Sequence, residues 1–386
     1  MKATDVSSQV PERIMLFIHS LHGGGAERVA ADLSAHWVAA GREVMVVTQA
    51  AADQDVYTLD PRVSRRVLNT AGLSGGGIKG ILANLRRVRA LRAAMRAFRP
   101  DIVVGMMTTA SVLAVLAGAG LPCKVVATEH THPPSQQLPA LWQWLRRKTY
   151  PRAAQVVALT RGTADWLAQH VPGSRLAVVP NSVRWPLASG QPRLVPPSDA
   201  ARYLLAVGRL HPDKGFEVLV EAYARIAADF PDWSLIILGE GGERPDLEAR
   251  IRAAGLESRV HLPGRAGNVA DWYHAADLYV LSSRFEGLSN TLLEALASGL
   301  PAVSFDCETG PREIVRDGVD GMLVRPDGDP DALAAALRQA MQDDALRHRF
   351  AQAAIDVRDR FSVQHVLQLW EAVFAAARRS NRANHE

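Results

Sequence analysis

Short runs of β-branched and aliphatic residues recur along the chain at 14–19, 43–48, 102–104, 124–128, 155–158 and 176–179, separated by stretches whose apolar positions fall at helical spacing. Strands that alternate with helices predict a parallel sheet. The pattern breaks at 185–198, W-P-L-A-S-G-Q-P-R-L-V-P-P-S, where Pro and turn formers crowd together and no periodicity survives. This reads as a linker. A second alternating series follows at 203–207, 234–238, 260–262, 278–281, 302–305 and 322–324. The expected fold class is therefore α/β, with a first doubly wound domain over 1–185, a linker over 186–200 and a second domain over 201–361. In such sheets ligands sit beyond the carboxyl ends of the strands, so two domains facing each other would make a cleft. A last amphipathic helix carries Val366, Leu367, Leu369, Trp370, Val373 and Phe374, and 380–386 reads as a dispensable tail.

Composition changes this picture little. A chain of 386 residues with 48% hydrophobic and 22% charged positions can fill two cores. Two cysteines, Cys123 and Cys307, sit far apart without metal-ligand spacing, which argues against a disulfide framework or a zinc site and for a reducing cytoplasm. No apolar run is long enough to span a bilayer, and 1–13 lacks the form of a signal peptide.

Charge is more telling. The net value is only +4, yet residues 1–185 carry 22 Lys/Arg against 11 Asp/Glu while 186–386 carry 22 against 29. The first domain is thus suited to an acidic partner, and no nucleic-acid-binding signature accompanies the excess. Two segments concentrate it. Residues 78–99 place Ile78, Ile81, Leu82, Leu85, Val88, Leu91, Met95 and Phe98 on one helical face with Lys79 and six arginines elsewhere, and 141–150 mixes Leu141, Trp142 and Trp144 with Arg146, Arg147 and Lys148. They read either as sheet-covering helices with solvated arginines, or as a contact with an anionic membrane surface or a lipid diphosphate.

Candidate chemistry lies mainly in loops after strands. In 282–301, Glu286 stands in a Phe-Glu-Gly turn and Glu294 eight positions later on a helix that Asn290 can cap. Free N–H groups at that helix start, with Gly287 admitting close approach, make an anion site. Carboxylates there would repel the anion but bind hydroxyls, so a polyol carrying phosphate fits; solvated helix-end acids are the plainer alternative. In 207–215, Arg209 and Lys214 can grip a diphosphate, the former as a fork and the latter as a point charge, or form a solvated basic turn. Gly208 opens that loop. The turns at 238–242 and 262–265, with Gly264 and Arg265, could wall a base, and Gly310 precedes a helix start at Pro311 whose amides could meet sugar hydroxyls. In the first domain, Gly23-Gly24-Gly25 follows a strand and opens a helix, but the G-x-G-x-x-G spacing of a dinucleotide turn is absent. The D-x-D triplets at 53–55, 327–329 and 329–331 read as turn chemistry.

The run R-F-E-G-L-S-N-T-L-L-E-A-L-A-S-G-L-P, with S-F-D-C-E-T-G-P-R-E-I after it and V-G-R-L-H-P-D-K-G before it, resembles the retaining nucleotide-sugar glycosyltransferases of family 4, and G-G-G-A-E-R at 23–28 is similar to members that build bacterial polysaccharides or lipid-linked oligosaccharides. The resemblance covers nearly the whole chain. It implies the GT-B fold: two Rossmann-like domains across a cleft, with 362–386 returning to the first. It also implies that Glu286 bonds the transferred sugar, Glu294 holds the ribose, Arg209 and Lys214 grip the diphosphate, and Gly287, Leu288 and Ser289 surround the phosphates. Gly24, Gly25, Gly208, Gly264, Arg265 and Gly310 join the donor contacts. His130 matches the family's cleft histidine, with His132 as a neighbour that leaves the assignment open. Neither cofactor nor metal is expected. The implied reaction moves a hexose or N-acetylhexosamine from a nucleotide sugar, with UDP favoured, to a glycan or polyprenyl-diphosphate-linked acceptor. Alternatives are a GDP-mannose-type mannosyltransferase, a nucleotide-sugar epimerase of the same fold, or a silent binding protein. The implied address is the cytoplasm, peripheral on the inner face of the cell membrane.

Overall fold

The structure, a computed structural model, describes residues 12–72, 78–136, 138–196 and 202–380. Parts of the expected elements therefore lie outside the described residues: 1–11, the linker end at 197–200 and 381–386 of the tail. Contacts gather the chain into two compact units, Met1–Val179 with Leu369–Glu386, and Pro180–Gln368.

The first unit is built on seven parallel strands, β1 (Arg13–Ile18), β2 (Glu43–Thr48), β3 (Ser64–Val67), β4 (Ile102–Gly105), β5 (Lys124–Glu129), β6 (Gln155–Ala158) and β7 (Leu176–Val178), in the order β3-β2-β1-β4-β5-β6-β7. Helices cover the sheet, which is why β1 and β4 read as unbroken apolar runs rather than alternating ones. Chain order reverses between β1 and β4. The loops that leave these two strands thus flank the topological switch point.

Strand β3 escapes the sequence pattern. It is the edge strand Ser-Arg-Arg-Val, paired on one side only with β2, and its Arg65 turns to Asp55 and to the Thr48 hydroxyl at 3.1 Å. Asp55, one of the D-x-D residues, is thereby part of an ion pair that holds the edge.

The helix Ile78–Phe98 buries only part of its expected apolar face. Leu91, Met95 and Phe98 are buried against the sheet, whereas Ile81, Leu82 and Leu85 are 56, 59 and 44% exposed; the Ile78 side chain lies outside the described residues. Geometry explains the split. Twenty-one helical residues run about 31 Å, against roughly 13–20 Å for strands of four to six residues, so the early turns overhang the sheet.

The final helix, Val363–Arg379, enters the first unit from Leu369. Trp370 and Phe374 meet the buried Trp37 ring at centroid distances of 5.6 and 5.3 Å. Arg42 joins the same junction between Glu12 at 3.0 Å and Glu371 at 2.6 Å.

The second unit has six parallel strands, β8 (Arg202–Val207), β9 (Trp233–Leu238), β10 (Val260–Gly264), β11 (Leu278–Leu281), β12 (Ala302–Phe305) and β13 (Gly321–Val324), in the order β10-β9-β8-β11-β12-β13. Its core runs from Leu204 and Leu235 through Phe216, Tyr223 and Leu337. Here the order reverses between β8 and β11. Those strands lead directly into the Arg209/Lys214 loop and the Glu286 loop. Asp329, from the other D-x-D run, accepts from Asp331 N at 2.8 Å and caps the helix Pro330–Gln342.

Candidate active site

The loops after β8 and β11 are stitched together. After β8 the chain makes a single tight turn, Pro212–Lys214, and Gly215 then takes φ +60° to start the helix Phe216–Ala224. A Cβ on Gly215 would lie 2.3 Å from the Ser282 carbonyl oxygen, so only glycine lets the β11 loop come this close. The Ser282 hydroxyl donates to the Lys214 carbonyl at 2.8 Å, and Arg284 N to the Asp213 carbonyl at 2.9 Å.

That junction sets the central pair. Lys214 Nζ lies 2.8 Å from Glu286 Oε1, and the Ser283 hydroxyl donates to the same oxygen at 2.8 Å. Asp213 is 3.8 Å away on the other side of the ammonium. Burial pulls the Lys214 pKa down, but Glu286, by charge and hydrogen bond, and Asp213 outweigh it and hold the group above the ordinary lysine value. Arg209 is exposed and makes no hydrogen bond or ion pair among the described residues. One cation is parked on a carboxylate and the other is free to meet a ligand.

A third loop closes on this pair from β12. The Thr309 hydroxyl donates to the Glu286 carbonyl at 2.8 Å, and Gly310, at φ +99°, passes so near that a Cβ would stand 3.0 Å from Glu286 Cβ and 3.1 Å from the Gly287 oxygen. Cys307, buried beneath, is driven to a pKa of about 12 by burial and by the nearby Glu286 and Asp327 charges. It is a packed thiol, with its Sγ donating to the Thr309 carbonyl at 3.5 Å.

The helix Asn290–Ala297 opens at the same place, and its cap corrects the sequence reading. Ser289, not Asn290, is the N-cap: its hydroxyl accepts from Leu292 N at 3.4 Å. Asn290 is taken up elsewhere, its Oδ1 accepting from Asn181 Nδ2 at 2.9 Å. Leu288 is buried, while Gly287 before it and Asn290 after the cap are half-buried. One turn along, Glu294 is 9% exposed and accepts from the Tyr273 hydroxyl at 3.1 Å. Gly208 stands at the end of β8 in the same group. Gly264 and exposed Arg265 lie at the end of β10, two strands away, where Glu240 is gripped by Arg244 at 2.7 and 3.0 Å.

Three expected residues belong to the first unit. Gly24 and Gly25 form the cap and first residue of the helix Gly25–Ala39 that leaves β1. His130 follows β5. Its Nε2 is 3.0 Å from the Thr128 hydroxyl, which in turn donates to the Gly105 carbonyl at 2.9 Å. Because that hydroxyl proton is committed, its oxygen accepts from His130 Nε2–H, and Nδ1 remains a hydrogen-bond acceptor. Burial lowers the His130 pKa to about 4, so the ring is neutral near pH 7. His132 is different: it is 2% exposed, 3.1 Å from the Thr163 hydroxyl and edge-on to Trp166.

Sequence reasoning missed Glu129. Its carboxylate is 1% exposed at the end of β5, where the Tyr150 hydroxyl donates at 2.5 Å, the Thr108 hydroxyl at 2.7 Å, and Arg146 stands at 3.7 Å. Burial raises its pKa, against the pull of Arg146, Tyr150 and Thr108. The cluster ties the strand beside His130 to the helices Thr108–Gly118 and Ala140–Thr149. Among the described residues no group of three or more His, Cys, Asp and Glu could hold a metal ion.

Residues 23–184 match the family described as Glycosyltransferase Family 4, and residues 195–357 match Glycosyl transferases group 1. This chain belongs to the family 4 glycosyltransferases of the GT-B fold. Its relatives act in bacterial glycan assembly. An α-1,4-N-acetyl-D-galactosaminyltransferase of Campylobacter jejuni, named for a diphospho-undecaprenol-linked saccharide, is 25% identical over 364 residues, covering 94% of this chain and 98% of that one. An exopolysaccharide phosphotransferase of Streptomyces coelicolor is 31% identical over 287 residues, 74% of this chain but only 29% of that longer protein. Among solved structures, Anabaena HepE in complex with UDP and glucose superposes with a TM-score of 0.78 at 22% identity, covering 94% of this chain and 99% of that one.

Proposed function

We propose that this family 4 glycosyltransferase moves a hexose or N-acetylhexosamine from a UDP-sugar to a lipid-linked glycan, with retention of anomeric configuration and without a metal. The observation that supports it most is the Lys214–Glu286 pair set beside the Ser289-capped helix start, with Arg209 uncommitted at the same strand edge.

In this reading the diphosphate of the donor lies over the amides at 287–291, where the helix dipole favours negative charge. Arg209 forks onto it. Lys214 turns from Glu286 towards the phosphate nearest the sugar, which frees Glu286 to accept from sugar hydroxyls. Glu294, already oriented by Tyr273, accepts from the ribose. As the bond between the sugar C1 and the phosphate oxygen breaks, negative charge grows on the leaving UDP, and the two cations stabilise it more than they stabilise the ground state. The acceptor oxygen then bonds C1 on the face just vacated, and its proton passes to the departing phosphate oxygen. No side chain is asked to be a base.

The Campylobacter relative's lipid-linked acceptor and the UDP and glucose bound by HepE support the choice of substrates. The test is transfer from a panel of UDP- and GDP-sugars to a polyprenyl-diphosphate-linked saccharide in EDTA, with the product anomer read by NMR. An α-linked product from an α-linked UDP-sugar is expected. Inversion, a requirement for divalent cation, or a changed sugar nucleotide formed without acceptor would each refute the corresponding part.

A further inference from the structure

The first unit has a cavity of about 680 Å³ at the amino edge of its sheet. Asp101 and Lys124 line it where β4 and β5 begin, Arg96 and Arg99 come from the end of the helix Ile78–Phe98, and Arg378 comes from the final helix. Lys124 opens β5 and Glu129 ends it, and six strand residues span about 20 Å, so the cavity lies at the far end of the strand from His130. Its volume is that of a small-molecule site.

The charges in it are unequal. Four cations line the cavity against two acids, Glu12 and Asp101. Both acids are engaged: Glu12 accepts from Arg378 Nε at 2.9 Å and pairs with Arg42 at 3.0 Å, and Asp101 accepts from Arg13 N at 2.8 Å. The adjoining end of the helix Thr108–Gly118 is met by Arg92, which donates to the Ala117 and Ala119 carbonyls at 2.7 and 2.6 Å. Half-buried Lys124 and exposed Arg96 and Arg99 make no hydrogen bond or ion pair among the described residues. Three uncommitted cations thus share one hollow, whose walls at Met95, Leu121 and Pro122 are apolar and concentrate the field.

Arg99 adds an independent observation. It follows the last residue of its helix at φ +53°, a left-handed conformation that glycine adopts freely and arginine does not. Its N–H donates to the Met95 carbonyl at 2.8 Å, a bond that glycine would make equally well. Backbone strain is therefore accepted at a position that brings a guanidinium to the cavity.

From these observations we propose that the cavity binds a small organic phosphate, with Lys124, Arg96 and Arg99 on the phosphate and Leu121, Pro122 and Met95 against the organic body. Guanidinium forks match phosphate oxygens, and the ammonium adds a point charge. Because Arg378 lines the same cavity, an occupant also joins the final helix to the sheet and stabilises the first unit. The inference goes beyond the transferase reading and depends on neither donor nor acceptor.

Cys123 supplies a local reporter. It lines the cavity and is half-buried, whereas Cys307 is fully buried. Burial raises the Cys123 pKa, so alkylation is run at mildly alkaline pH, where thiolate forms. The probe is phenyl phosphate, added to the full chain with UDP present in excess so that the proposed diphosphate site is filled, and labelling of each cysteine is read by mass spectrometry. A probe concentration about ten times its dissociation constant is expected to slow Cys123 alkylation about tenfold and to raise the melting temperature, with Cys307 unlabelled throughout. Benzyl alcohol, which lacks the phosphate, should protect little. Arg96→Ser with Lys124→Ser should abolish the protection, while turnover on a water-soluble acceptor without the probe stays at the wild-type rate. Arg99→Gly should weaken protection without lowering the melting temperature of the free protein, a split that a purely structural arginine would not show. Arg209→Ala should keep the protection, which separates failure here from failure of the diphosphate site in the second unit. Absence of protection, equal protection by benzyl alcohol, or undiminished protection in both cavity variants would overturn the inference. Protection that follows protein concentration rather than probe concentration would overturn it as well, by making the cavity a contact between copies.

Discussion

Lys214 and Glu286 are each other's counter-ion before any ligand arrives, and this governs what their removal does. Replacing Lys214 by Ala leaves Glu286 with the Ser283 hydroxyl but no cation. The diphosphate would then meet an uncompensated carboxylate, so Lys214→Ala should depress kcat/KM by at least a hundredfold, about 2.7 kcal/mol or more. Glu286→Gln should spare UDP binding and lower turnover and sugar selectivity. Equal losses of UDP affinity in both variants, by calorimetry, would contradict the division of roles. His130 adds a pH signature. Its folded-state pKa is about 4 against an ordinary 6.5, so its contribution to stability is present above 6.5 and lost as pH falls towards 4. His130→Gln should remove part of the acid-side fall in urea stability, and an unchanged profile would show that the ring is not held neutral by the fold.

At the scale of elements, the cap and the overhang show what a sequence pattern carries and what it leaves out. Hydrophobic runs located every strand except β3, because buried parallel strands must be apolar on both faces; Ser64–Val67 pairs on one side and spends Arg65 on an ion pair. Ser289 and Asn290 are both good caps, and only the path of the chain decides between them. Ser289→Ala should cost about 1 kcal/mol of stability and, if the proposed diphosphate site is right, weaken UDP binding by loosening the helix start assigned to the phosphates. Asn290→Ala should leave the cap intact, and the reverse ranking in denaturation would disprove the assignment. Periodicity likewise placed Ile81 to Phe98 on one stripe but could not say where the sheet beneath it ends. Glu129 was invisible for a related reason: nothing in T-E-H-T-H distinguishes a buried, fully bonded carboxylate from a solvated one.

At the scale of the whole molecule, order along the chain was the legible part. The two series of strands and helices, the charge split between the halves and the apolar face of the last helix all precede any knowledge of contacts. The close approach of three loops at Gly215 and Gly310 does not, since it depends on backbone from distant strands. The last helix gives a separable prediction. Phe374 is fully buried against Trp37, so Phe374→Ala should cost about 3–5 kcal/mol in the first unit while UDP affinity, which the proposed site assigns to the second, stays unchanged. A parallel loss of both would mean that the nucleotide site relies on that packing. The central claim is that the β8 and β11 loops form a diphosphate site, and calorimetric titration of UDP and of uridine into wild type and Arg209→Ala tests it most directly. The account predicts that UDP affinity falls at least tenfold in the variant while the weak binding of uridine is unaltered; equal UDP affinity for the two proteins would contradict it.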